Sequence, residues 1–333
     1  MIKKFLQHHP VHKKIVPIFD VIFLLRPTMF FAVWIMVVVG MISVDLNMHA
    51  SSLWNTEFSW KILFVFFGLS LLISAAFTSN QIDEAKNGKS NQELFLIGKY
   101  VSSEKGESIA RTLLISGLLI TIIANWITSI PAICIYFLWR TEFNHAPFEW
   151  KHSLGAGWLI NSCVGILLFT IGWMLGMKNY QHNEIIPLTI DTLFHMLPYL
   201  LYFSAVSLLT TLQYRKSDDA DTSTLPIVYG SFASMLIATL MMSIALYLSL
   251  KYADPLASTA TLVSLPFFIF AAFRRQNKDI LRAIRYPIFI LNFFSLAYYP
   301  WLVVPLFFIY YVSKYYYWHR FNLHYPTFLV DHD

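Results

Sequence analysis

The chain has 333 residues, of which 57% are apolar, 17% aromatic and 13% charged, with a formal charge of +5. A soluble domain carries roughly twice that charged fraction, so the composition excludes a disordered chain, a coiled coil and most soluble enzymes. The 24 Lys and Arg residues punctuate apolar runs and form no single basic face, which argues against nucleic acid as a partner.

Residues 1–25 form a basic segment with Lys3, Lys4, Lys13 and Lys14. The apolar run after Lys14 holds Asp20 and Arg26 and has no small-residue cleavage site before the first long run, unlike a signal peptide. Nine runs then approach the length of about 20 residues that crosses a bilayer. They are 27–45, 61–79, 109–126, 128–141, 154–174, 191–211, 225–249, 256–273 and 288–312. The third and fourth are separated only by the stretch around Ile127 to Pro131. Unpaired backbone groups cannot face lipid, so runs of this length are expected to be helices. They lack the short alternating pattern of barrel strands. The expected fold is an all-α polytopic membrane protein.

Nine crossings place the Lys and Arg residues 19 on one side and 5 on the other. The side with 19 holds the N-terminus and the loops after runs two, four, six and eight, and is read as cytoplasmic. The C-terminus is then expected on the opposite side, in the inner membrane if the source is bacterial. Residues 26–312 form the membrane domain, and 313–333 an aromatic tail suited to the interface, where Tyr and Trp settle. Within loop 80–108, Leu94 to Ile97 suggest a short interfacial helix. Cys134 and Cys163 lie inside apolar runs and read as small packing residues. Asn125, Asn161, Ser162, His195 and Asn292 lie within runs and are expected to face the bundle interior.

Two cytoplasmic segments concentrate carboxylates at run ends. One contains Asn80, Gln81, Asp83, Glu84, Asn87 and Asn91; the other contains Arg215, Lys216, Asp218, Asp219 and Asp221. Hard oxygen ligands of this kind can hold Mg²⁺, and the metal can grip a diphosphate whose remaining charge Arg and Lys neutralise. The same loops also read as solvated polar turns. Arg26, just before Pro27 at the opening of the first run, either snorkels to headgroups or meets phosphate.

Arg26-Pro27, Asn80-Gln81 after the second run and the acidic cluster after the sixth resemble the UbiA superfamily of intramembrane prenyltransferases. In the first aspartate-rich motif, Asn80 and Gln81 match the opening and Glu84 stands at the first aspartate. Gly88 stands at the last, while Asp83 and Asn87 each fall one residue early. In the second, Tyr214, Ser217 and Asp218 take the places of the first aspartate, the glycine and the second aspartate. Thr224-Leu225-Pro226 matches the motif's ending with the register moved by one, leaving Asp219 and Asp221 as offset oxygen donors.

The resemblance implies a nine-helix UbiA-like prenyltransferase bundle around a central cavity. It implies an isoprenyl diphosphate donor, Mg²⁺, and an aromatic or other lipophilic acceptor that attacks the allylic carbocation left when the diphosphate departs. Asn80, Glu84, Asp218 and Asp221 become the implied catalytic set. Asp83, Glu84, Asp218 and Asp221 become the implied metal ligands, and Arg26, Gln81, Asp83, Arg215, Lys216 and Asp219 the contacts to donor and cofactor. The competing reading on the same bundle is a non-catalytic protein that binds an isoprenoid or quinone. A secondary transporter would need repeats or midplane charges, and neither stands out.

Overall fold

A computed structural model describes residues 10–48, 59–86, 96–142, 155–178, 190–214, 225–323 and 325. Its α-helices are α1 (Pro10–Phe23), α2 (Phe30–Met48), α3 (Trp60–Lys86), α4 (Ser103–Phe137), α5 (Ala156–Lys178) and α6 (Ile190–Tyr214). They continue with the short α7 (Leu225–Val228), then α8 (Gly230–Lys251), α9 (Pro255–Arg274), α10 (Asn277–Ser295) and α11 (Val303–Phe321). Among the described residues, seven helical segments are long and apolar enough to cross a membrane. The chain is an all-α, multi-spanning integral membrane protein.

The helices gather into two compact groups. The first comprises residues 1–31, 59–140 and 302–327, hence α1, α3, α4 and α11. The second comprises residues 32–58, 141–301 and 328–333, hence most of α2 and α5 to α10.

In the first group, α4 is two helices joined at a break. Asn125 has φ −162° and ψ 102°. Its side chain accepts from the Ile127 amide at 3.2 Å, which caps a new helix directly. Glu107 near one end of α4 pairs with Lys86, and Arg140, just past the other end, pairs with Asp83. A straight helix would separate residues 107 and 140 by about 50 Å. Both instead meet the last turns of α3, so the chain doubles back at Asn125. The expected runs 109–126 and 128–141 are therefore two antiparallel arms. The first arm approaches α3 at backbone distance: a Cβ on Gly117 would stand 2.9 Å from the Gly68 carbonyl oxygen. Small residues permit such contact where no water drives helices together.

In the second group, Gly40 of α2 and Gly172 of α5 make the equivalent close crossing: a Cβ on Gly40 would stand 3.1 Å from the Gly172 Cα. Ser162 and Ser204 join α5 to α6 at 2.8 Å. The buried Tyr202 hydroxyl pairs with Ser264 at 2.7 Å and donates to the Pro287 carbonyl at 2.8 Å, tying α6 to α9 and α10. Such bonds satisfy polar groups that lipid would leave unpaired.

Several expectations change. The ninth run, 288–312, is not one helix. α10 begins at Asn277 and ends at Ser295, where the Tyr298 and Tyr299 amides turn back onto the Ser295 carbonyl. Pro300 lacks an amide donor and starts a 3₁₀ turn, after which α11 begins. Residues 313–321 of the expected interfacial tail continue α11, with Ser313 and Tyr316 fully buried. Residues 96–101, where part of the interfacial helix was expected, form a tight turn closed by Gly98 N–H to the Val101 carbonyl at 2.9 Å. Leu94 and Phe95 lie outside the described residues. Cys134 and Cys163 are exposed rather than packed inside, because an apolar side chain of a spanning helix is equally stable facing lipid.

Candidate active site

The last three turns of α3 present two different polar faces. On one face Phe77, Asn80 and Asp83 follow each other at helical spacing. Phe77 stacks on Trp139 with ring centroids 5.2 Å apart. Asn80 Nδ2 donates to the Trp139 carbonyl at 2.9 Å. Asp83 Oδ2 accepts from Arg140 Nη1 at 2.8 Å, with both side chains about three-quarters buried. The π-helical turn Leu138–Glu142 that follows α4 thus delivers a carbonyl and a guanidinium to one face of α3. Asn80 Oδ1 is buried, and no hydrogen bond reaches it from the described residues. A buried acceptor without a donor is costly, and it suits an oxygen ligand held for a cation. Glu84 stands one turn past Asn80, at i+4.

The second face carries Ser74, Thr78 and Gln81. Ser74 Oγ donates to the Leu25 carbonyl at 3.1 Å; Thr78 Oγ1 and Gln81 Nε2 make long bonds of 3.4 Å to the Leu24 carbonyl. This stripe fixes the turn that ends in Arg26. Arg26 has φ 52° and ψ 56°, the left-handed region that side chains other than Gly, Asn and Asp seldom enter. Pro27 then opens a 3₁₀ turn, where its missing N–H costs nothing. Arg26 is half-buried and makes no ion pair with any described carboxylate.

The structure therefore brings Asn80, Asp83 and Arg140 together and places Gln81 on the face toward Arg26. Arg140 was not singled out in the sequence. Its signal was its position at the end of the fourth run, on the same side as the first acidic segment. Arg215, Lys216, Asp218, Asp219 and Asp221 lie outside the described residues, as does the stretch with Gly88 and Asn91. No cluster of three or more His, Cys, Asp or Glu residues able to hold a metal occurs among the described residues. What is described of the first motif, an orphan amide oxygen with Asp83 and Glu84 on the same turn, is a hard-oxygen set that fits part of a magnesium site.

Residues 28–293 match the UbiA prenyltransferase family. Solved structures share the fold. A UbiA homologue from Archaeoglobus fulgidus bound to DMAPP and Mg²⁺ aligns with TM-score 0.59 and 13% identity, over 84% of this chain and 98% of that one. A structure described as giving structural and mechanistic insight into digeranylgeranylglyceryl phosphate synthase in membranes aligns with TM-score 0.58 and 16% identity, over 84% and 96%. An apo UbiA homologue from Aeropyrum pernix K1 gives 0.55 and 11%, over 84% and 97%. No curated protein sequence matches the chain. The chain belongs to the UbiA prenyltransferase family, and it is an intramembrane prenyltransferase of the UbiA type.

Proposed function

We propose that the chain transfers an isoprenyl group from an isoprenyl diphosphate to an aromatic or other lipophilic acceptor, with Mg²⁺ as cofactor. The observation that carries this is Asn80 Oδ1, a buried acceptor left open one turn from Glu84 and beside the Asp83–Arg140 pair. Asn80 and Glu84, with Asp218 and Asp221 of the second acidic segment, hold the cation. Asp83 orients Arg140 and keeps its guanidinium at the mouth of the site. Arg26, Arg215 and Lys216 neutralise the diphosphate, and Asp219 is a further oxygen donor. Bound magnesium would stabilise the charge that develops on the departing diphosphate. The homologue that holds DMAPP and Mg²⁺ supports the same pair of ligands here.

The membrane domain proposed is residues 26–312 together with the remainder of α11. Among the described residues, the seven segments long and apolar enough to cross make eight crossings when the two arms of α4 are counted separately, and α10 and α11 bring the proposed number to ten. An even number puts the end of α11 on the cytoplasmic face, opposite to the nine-run expectation. The packing of Tyr316 and Phe321 with Phe23, Ile82 and Val101 favours this, because those residues all flank the first motif. Moving Lys314 and Arg320 to that face changes the charge split from 19 and 5 to 21 and 3.

The test is retention of dimethylallyl, geranyl and geranylgeranyl diphosphate by the detergent-purified chain, with Mg²⁺ and with EDTA. The Asp218→Asn, Asp221→Asn double variant is compared with wild type. Mg²⁺-dependent retention lost in the variant is expected; retention indifferent to metal and mutation would overturn the assignment.

A further inference from the structure

The family match ends at residue 293 and begins at residue 28, so α1 and α11 both lie outside it. They nevertheless pack on each other and on the Arg26 turn. Asp20 of α1 is 3% exposed and accepts two bonds from α11, one from the Tyr316 hydroxyl at 2.7 Å and one from Arg320 Nη2 at 2.8 Å. Tyr316 stacks on Phe23 with ring centroids 4.0 Å apart and planes 16° from parallel. Arg320 is closed in from the other side by the Tyr100 ring, 3.5 Å from its guanidinium carbon. One residue along α11, the Tyr317 ring meets Phe23 edge-on at 5.5 Å. Its hydroxyl lies close to Thr28 and to the Arg26 charge.

The Arg26 turn is thus held from two directions. The Ser74, Thr78 and Gln81 stripe of α3 holds its carbonyls, and α11 holds the residues on either side of it, Phe23 and Thr28. The turn needs this. A left-handed Arg is strained, and such conformations persist only where the surroundings over-determine them. The turn sets Arg26, half-buried and with no described carboxylate partner, directly after the Leu24 and Leu25 carbonyls that Ser74, Thr78 and Gln81 of α3 hold.

We propose that α11, through Asp20, Tyr316, Tyr317 and Arg320, is a brace that positions Arg26 for the donor diphosphate, so that a helix outside the family-matched region governs donor affinity. This rests on the donor-site reading above. The brace residues do not touch the donor; they are positioning residues that act through Arg26.

The experiment is a double-mutant cycle on the full chain in detergent, reading KM for geranylgeranyl diphosphate and kcat separately, alongside thermal stability. Asp20→Asn should raise the donor KM about tenfold, within the range of couplings between contacting residues, and leave kcat within about twofold. Arg26→Gln should raise KM at least as much, and adding Asp20→Asn to it should cause no further rise. Asp20→Glu should recover most of the loss. Tyr317→Phe removes a single hydroxyl and carries the same cycle if Asp20→Asn does not fold. Additive effects of Asp20 and Arg26 would overturn the proposal, as would a fall in thermal stability with KM unchanged. If Arg26→Gln alone leaves KM unaltered, the brace proposal fails while the metal half of the site, tested at Asp218 and Asp221, still stands. If wild type shows no Mg²⁺-dependent use of any diphosphate, the donor reading itself fails.

Discussion

Arg140 reaches back 57 residues to donate to Asp83, its Nη1 standing 2.8 Å from Oδ2. The contact exists because α4 doubles back at Asn125 and returns its last turn to the end of α3. One ion pair thereby joins the motif-bearing helix to the second arm of the hairpin. It orders the motif's own carboxylate.

Breaking that pair should cost both order and activity. Arg140→Gln is expected to lower stability by about 1 kcal/mol, the upper part of the range for pairs that retain some solvent contact. It should also weaken Mg²⁺-dependent turnover, because Asp83 loses its orientation. Thermal unfolding in detergent and a magnesium titration of turnover check the two effects. Unchanged values for both would remove the pair from the site.

Asn80 allows a sharper separation of structure from function. Replacing it by Ala removes one bond to the Trp139 carbonyl, worth about 1 kcal/mol. It also removes an acceptor that is buried without a donor, which offsets part of that cost. Stability of Asn80→Ala is therefore expected near that of wild type, while kcat/KM falls at least about tenfold, equivalent to about 1.4 kcal/mol of lost transition-state stabilisation. A stable variant with full turnover would show that Oδ1 serves no ligand.

Helix contact at Gly117 is a backbone contact, and its disruption should be felt throughout the first group. A Cβ there would lie 2.9 Å from both the Gly68 carbonyl oxygen and the Leu72 amide nitrogen, neither of which can move without its helix. Gly117→Val is expected to cost at least about 1–3 kcal/mol, the range for overpacking. It should show as lost monodisperse protein on size exclusion, whereas Gly230→Ala should be tolerated sterically, with open space around it, and pay only for its positive φ of 84°.

Much of this architecture was legible in the residues, for identifiable reasons. Apolar length revealed the spanning helices because lipid leaves the backbone no alternative. A break was legible around Ile127 to Pro131, where Pro131 interrupts an otherwise apolar stretch, but the reversal falls at Asn125, which read only as a polar residue inside the third run. The ninth run was misread because residues 296–299 are themselves apolar or aromatic, and only Pro300 marks the break. Asn80 and Gln81 stand out in the sequence as neighbours at the end of an apolar run, yet the different contacts they make were not legible there. Residues 80 and 81 differ by about 100° around the helix, so Asn80 faces Trp139 while Gln81 faces Leu24. The brace from Asp20 to Arg320 spans 300 residues and has no local pattern to announce it.

Asp254 offers a prediction in which pH is the variable. It precedes α9 as its N-cap, and one carboxylate oxygen accepts from the Ala257 amide at 2.8 Å and the Tyr199 hydroxyl at 3.1 Å. Burial raises its pKa above the ordinary aspartate value; the Ala257 and Tyr199 bonds and the nearby His195 oppose that rise without cancelling it. A carboxyl with a raised folded pKa favours folding most when it is protonated. Its contribution is complete below the unfolded value of about 3.9 and declines as pH rises through the folded value. Wild type should therefore lose stability over that interval, and Asp254→Asn, which keeps a capping oxygen, should flatten the profile. The two proteins are expected to melt together at the acidic end, with Asp254→Asn the more stable at neutral pH. Asp254→Ala, lacking the cap, should be less stable than Asp254→Asn by about 1 kcal/mol at every pH. Melting curves of the three proteins from pH 4 to 8 decide it, and a wild-type profile parallel to that of Asp254→Asn would mean that Asp254 stays ionised throughout.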